Sequence, residues 1–127
     1  MSKRALILLF SAAAFFMAAA TPTFAATEYA QPGTVLRILT GSNGLVFFGV
    51  SQIPGHTCNW YGTIQFTLDT TTPSGKAMLT VLILAKATGK PIDIGYEDSI
   101  APGTNETNGC NSQTMSVVDS IGIDPTL

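Results

Sequence analysis

Apolar and polar positions alternate most cleanly along residues 60–69, where Ile64, Phe66 and Leu68 fall on one face of an extended chain and Thr63, Gln65 and Thr67 on the other. A strand of that kind lines a core on one side and meets water or a polar partner on the other, as in an antiparallel sheet. Tyr61 falls on the polar side. Two β-rich runs, 34–40 and 45–50, flank Gly41-Ser42-Asn43-Gly44, whose residues accept positive φ at little cost, and together predict a hairpin. Residues 92–96, with Ile92, Ile94 and Tyr96 on one face, and 115–123 complete five strands.

One helix interrupts them. Thr70-Thr71-Thr72-Pro73 offers a threonine cap and a proline in the first turn, where its missing N–H is harmless. The helix is predicted to run to about residue 88, with Gly89 as a left-handed stop and Lys86 and Lys90 near the negative end of its dipole. Met78, Val81, Leu82 and Ala85 make a core stripe, yet Leu79, Ile83 and Leu84 lie off it, a pattern that asks for cover on more than one side. A small domain has too little material to surround a helix. A second copy of the chain is therefore expected to cover the face carrying Lys76, Thr80 and Ile83, giving a homo-oligomer.

The N-terminal stretch follows another logic. Lys3 and Arg4 precede an uncharged apolar run over residues 5–20, Thr21-Pro22 breaks it, and small residues flank Phe24 up to Ala25. Residues 1–25 are read as a secretory signal peptide cut after Ala25, which leaves one domain over 26–127 in a secreted or periplasmic location. The competing reading, an uncleaved anchor, has an apolar run shorter than the roughly 20 residues of a span. No later stretch is long enough to cross, so no membrane association is expected after cleavage.

The whole chain carries a net charge of −2 over 127 residues, and without Lys3 and Arg4 the balance becomes four basic against eight acidic side chains. Arg37, Lys76, Lys86 and Lys90 are too few and too scattered to neutralise phosphates, which excludes nucleic acid as an expected partner.

Cys58 and Cys110 are the two cysteines, and in an oxidising compartment they are expected to form one disulfide. It ties down a long polar loop over 97–113, in which Pro102-Gly103, Asn105, Asn108, Gly109 and Asn111 punctuate the chain. The alternative is a metal site from His56, Cys58 and Cys110, which falls one ligand short of a closed zinc site. No metal and no cofactor are expected.

Catalytic arrangements fail in turn. His56 is the single histidine, and no Gly-x-Ser-x-Gly turn surrounds any serine, which removes a Ser-His-Asp hydrolase. Gly75-Lys76 lacks the hydroxyl that would follow it in a phosphate loop, since Ala77 stands there. Glu97 and Asp98 are neighbours on an extended chain and point apart. A calcium site from these two and the loop asparagines lacks EF-hand spacing. Asn105-Glu106-Thr107 matches a glycosylation triplet that is common by chance. The chain is therefore read as no enzyme. Its useful surface chemistry is aromatic and amide groups, namely Tyr61 and Tyr96 with Asn105, Asn108 and Asn111, which suit a glycan or protein ligand, while Trp60 is equally suited to the core.

Ser74-Gly75-Lys76-Ala77-Met78, Leu82-Ile83-Leu84-Ala85-Lys86 and Gly89-Lys90-Pro91-Ile92 resemble a family of small exported bacterial proteins of mostly unassigned function, over residues 58–123. The order hairpin, strand, helix, strand, cysteine loop, strand is similar to that of the OB-like B subunits of bacterial AB5 toxins, including the subtilase-type. That resemblance implies a small five-stranded barrel or sheet with one helix, helix-mediated oligomers and glycan binding. The expectation is thus an α+β, mostly antiparallel, OB-like domain with one disulfide, acting as an exported binding module. A structural envelope or surface oligomer with no small-molecule ligand is the other reading.

Overall fold

A computed structural model of the chain describes residues 27–124. The signal segment expected over 1–25 lies outside the described residues. Six strands and one helix follow in the order β1 (Thr27–Gly33), β2 (Val35–Thr40), β3 (Leu45–Val50), β4 (Phe66–Asp69), α1 (Pro73–Thr88), β5 (Ile92–Glu97) and β6 (Ser116–Ile123). The five strands expected from the sequence are present, and β1 is added to them.

The sheet order is β1-β5-β6-β4-β3-β2, antiparallel throughout except for the β4–β6 pair. Its two outer strands, β1 and β2, are separated in the chain by Thr34 alone. One bent segment therefore supplies both edges, and the sheet curls until they meet covalently near Gly33. Among the described residues no ladder joins the two edges by hydrogen bonding, so the sheet is curled and not closed. Bending is eased by register shifts between Ala30 and Gly33 and between Val35 and Arg37. The parallel joint is the thinnest seam, with two pairs, Phe66 with Ser116 and Thr67 with Val117. The Thr67 and Ser116 hydroxyls beside it are buried with no hydrogen-bond partner among the described residues.

The main core lies inside the curl. Val46, Phe48 and Val50 of β3, Phe66 and Leu68 of β4, Ile92, Ile94 and Tyr96 of β5, and Val118 of β6 meet Leu82 and Ala85 of the helix there. Phe48 stacks on Phe66, whose ring meets Tyr96 edge-on. The helix ends are those predicted: Thr72 caps it by accepting from Gly75 N–H at 3.0 Å, and Gly89 terminates it at φ 67°. The stripe is rotated from the expected one. Gly75, Leu82 and Ala85 are buried, with Met78 and Leu79 packed against the core, so Leu79 lies on the stripe and Val81 beside it. Gly75 is required by a close approach: a Cβ there would stand 1.7 Å from the Asp69 carbonyl oxygen.

A second, smaller core covers the outer face of β3. Phe47, Cys58, Ile64, Cys110 and Met115 form it, with Leu39, Leu45 and Trp60 at its border. β3 is thereby buried on both faces, which explains its unbroken apolar run. The alternating stretch 60–69 is a strand only from Phe66, because Trp60 and Ile64 pair with each other across a tight turn. Ile64 consequently leaves the face of Phe66 and Leu68 and joins the second core. Gln65 and Thr67, expected on a wet face, are buried. Gln65 is satisfied there: its Oε1 accepts from Val50 N–H at 3.1 Å and its Nε2 donates to Asn59 Oδ1 at 3.0 Å.

Candidate functional site

Two long connections, 51–65 and 98–115, fold over β3 and meet each other. Asn59 N–H donates to the Thr104 carbonyl at 3.0 Å, Gly103 N–H to that of Thr57 at 3.0 Å, and Ser99 N–H to that of His56 at 2.8 Å. The Cys58–Cys110 disulfide joins the same two segments, with the cysteines almost fully buried in the second core. Both sulfurs of the alternative metal set are spent in this bond. Among the described residues there is no group of three side chains suited to hold a metal ion. His56, at φ 59°, faces Asp98 at 3.6 Å on the exposed surface, a geometry worth little in water.

On this scaffold Tyr61 stands out. It occupies the left-handed region at φ 47° and is followed by Gly62 at φ 71°, so Trp60 to Thr63 make a turn with two positive φ values. Thr63 N–H and Ile64 N–H both donate to the Trp60 carbonyl. The Tyr61 ring lies 4.7 Å from the Trp60 ring, which in turn meets Phe47 edge-on at 5.6 Å. A bulky residue is rarely held at positive φ, and this one is 58% exposed. The result is an aromatic platform backed by a half-buried tryptophan and anchored in the second core.

Asn105 is brought beside this platform, since Asn59 and Asn105 form a bridge next to Trp60. Its carboxamide builds the loop, with Oδ1 accepting from Thr107 N–H at 3.1 Å while its main-chain carbonyl accepts from Asn108 and Cys110 N–H. Asn111 is used likewise, its Oδ1 accepting from Gln113 N–H and its Nδ2 donating to the Gly109 carbonyl. Asn108 is exposed. Thr114, not singled out from sequence, stitches the loop by donating to the Gly109 and Asn111 carbonyls and accepting from Asn111 N–H, while Ser99 Oγ donates to its carbonyl. No spacing signal marks it.

Tyr96 does not belong to the surface. Only 2% exposed, it packs on Phe66, and its hydroxyl donates to the Gly55 carbonyl at 2.8 Å. The alternation that put it with Ile92 and Ile94 was the correct guide, and its polar tip is met by a loop instead of by ligand. Burial, then the nearby Glu28 and Asp98 charges, raise its pKa above the ordinary tyrosine value. In the unfolded chain the phenol ionises near pH 10 while the folded state keeps its proton, so this group's stabilisation is present below about pH 10 and is lost as pH rises further. Tyr96→Phe is expected to cost about 1 kcal/mol at neutral pH and to flatten the alkaline fall of stability in urea titrations. An unchanged alkaline slope would assign that fall to other groups.

Lys76, Thr80 and Ile83 all lie on the exposed side of α1, and Thr80 Oγ1 donates back to the Lys76 carbonyl. Ile83 and Leu84 are each 53% exposed. Lys86, also exposed, reaches across to β2, donating to the Val35 and Leu36 carbonyls at 3.0 and 2.9 Å and tying the helix to that strand. No helix among the described residues is long and apolar enough to cross a membrane. No protein family, no curated protein and no solved structure matches this chain.

Proposed function

We propose that the chain is an exported, non-enzymatic binding module whose contact surface is the Tyr61 platform and the disulfide-held loop around Asn105, Asn108 and Asn111, with a glycan or a protein as ligand. The observation that carries this reading is Tyr61 itself, a large aromatic kept in a strained backbone conformation and presented to solvent. Strain of that kind persists where the surroundings impose it, and a flat ring beside amides suits sugar faces and peptide side chains. Export accounts for the disulfide and for the apolar segment behind Lys3 and Arg4.

A second reading is favoured by Ile83 and Leu84, whose exposure on α1 suits a structural oligomer assembled through the face of Lys76, Thr80 and Ile83. One set of measurements separates the two. Tyr61→Asn places a residue that tolerates positive φ in the turn, and the relief offsets the lost stacking, so stability should stay within about 1 kcal/mol of wild type. Ligands found on a glycan array or among captured proteins should bind this variant at least about tenfold more weakly. No ligand on either screen, together with a concentration-dependent mass by light scattering that Ile83→Lys abolishes, would replace the binding reading by the structural one.

A further inference from the structure

We infer that Asn108 is a site of spontaneous deamidation, selected over the chain's other Asn-Gly pair by the fold. The chemistry needs a main-chain nitrogen that can reach the preceding carboxamide carbon, which a following glycine allows because it carries no Cβ. The sequence holds two such pairs, Asn43-Gly44 and Asn108-Gly109. Their surroundings differ. Asn43 Oδ1 is engaged by Leu45 N–H at 3.3 Å, and the Gly44 carbonyl accepts from both Thr70 N–H and Thr70 Oγ1. Gly44 is also packed so closely that a Cβ would stand 2.7 Å from Thr71 Cγ2. Closing a ring in that hairpin turn means giving up several contacts at once.

Asn108 and Gly109 are both exposed, and nothing lies within 4 Å of where a Gly109 Cβ would stand. Among the described residues, neither the Asn108 carboxamide nor the Gly109 N–H forms a hydrogen bond. The anchors of the loop lie on either side: the Asn108 N–H donates to the Asn105 carbonyl, and the Gly109 carbonyl accepts from Thr114 Oγ1 and Asn111 Nδ2. The nucleophile and the electrophile are thus free while the chain around them is held.

The reaction balances with water alone. Gly109 N loses its proton to solvent base and bonds to Asn108 Cγ, solvent returns a proton to Nδ2, and the Cγ–Nδ2 bond breaks so that ammonia leaves, giving a five-membered imide. Water then adds to one of the two imide carbonyls and opens the ring to aspartate or isoaspartate. Either product adds one negative charge to the loop that carries Asn105 and Cys110, and isoaspartate also lengthens the main chain by a methylene.

The test uses the intact, disulfide-bonded protein aged at mildly alkaline pH, with peptide mapping by mass spectrometry and enzymatic isoaspartate methylation as readouts. Asn108 is expected to convert at least about tenfold faster than Asn43, the ratio set by a barrier difference of about 1.4 kcal/mol. In reduced, denatured chain the two rates should converge, and Asn108→Gln should remove most of the isoaspartate signal from the folded protein. Equal rates in the folded protein, or a faster Asn43, would overturn the inference.

Discussion

Gly49→Ala is expected to prevent folding. Gly49 sits in β3 opposite Arg37, and a Cβ there would stand 1.6 Å from the Thr63 carbonyl oxygen, 2.6 Å from its carbon and 2.7 Å from Gln65 Oε1. Two of these three atoms are main chain, and the third is fixed by its bond to Val50 N–H. Relief therefore requires lifting the turn of Trp60 to Gln65 off the sheet. That movement also breaks the 3.0 Å bond from Gln65 N–H to the Phe48 carbonyl and opens the second core around Ile64. A cost above about 4 kcal/mol is expected, within reach of the whole stability of a small domain. Gly55→Ala is the control, since nothing lies within 4 Å of its added methyl group. Urea unfolding should show little change for Gly55→Ala and no cooperative transition for Gly49→Ala. A normal transition for Gly49→Ala would mean that the 51–65 connection does not rest on β3.

Removing the disulfide, by Cys58→Ser with Cys110→Ser, should cost nearly as much. The bond spans a sequence separation of 52 residues, for which chain-entropy arguments give about 4 kcal/mol. Two hydroxyls would also replace sulfur among Phe47, Ile64 and Met115. The thermal midpoint should fall on the order of 20 °C. Amide hydrogen exchange should show protection lost first over 98–115, where the loop is held by single hydrogen bonds and this crosslink. If the proposed contact surface is correct, ligand binding is lost with the loop. A stability loss below about 1 kcal/mol would show that the second core holds the two connections together without the bond.

The local elements were legible because their signals are local. Thr72, Pro73 and Gly89 bound the helix by satisfying or replacing backbone groups within a few residues, and Gly41 to Gly44 make the hairpin for the same reason. Ile92, Ile94 and Tyr96 pointed into one core, and pairing the only two cysteines required no geometry. Tyr61 was named from its residue type and its position on the polar side of an alternating run, and it is indeed exposed.

What alternation could not reveal is the identity of the material lying against each face. Gln65 and Thr67 obey a period of two, but the faces they mark are covered by the 51–65 and 98–115 connections, whose docking depends on contacts dozens of residues apart. The same long-range cover buries the cysteines, and the left-handed Tyr61 backbone is visible only once the Trp60–Ile64 turn is formed. β1 escaped notice because its partner, β5, lies about sixty to seventy residues away and its own stretch includes Pro32 and Gly33, weak strand formers. By itself, the sequence determined where five of the six strands lie in outline, where the helix begins and ends, and that two cysteines were available to pair. The tertiary structure alone decided which polar residues are interior and which aromatic ring meets the solvent, because burial depends on what lies across the fold, and residue spacing reports only what lies along the chain.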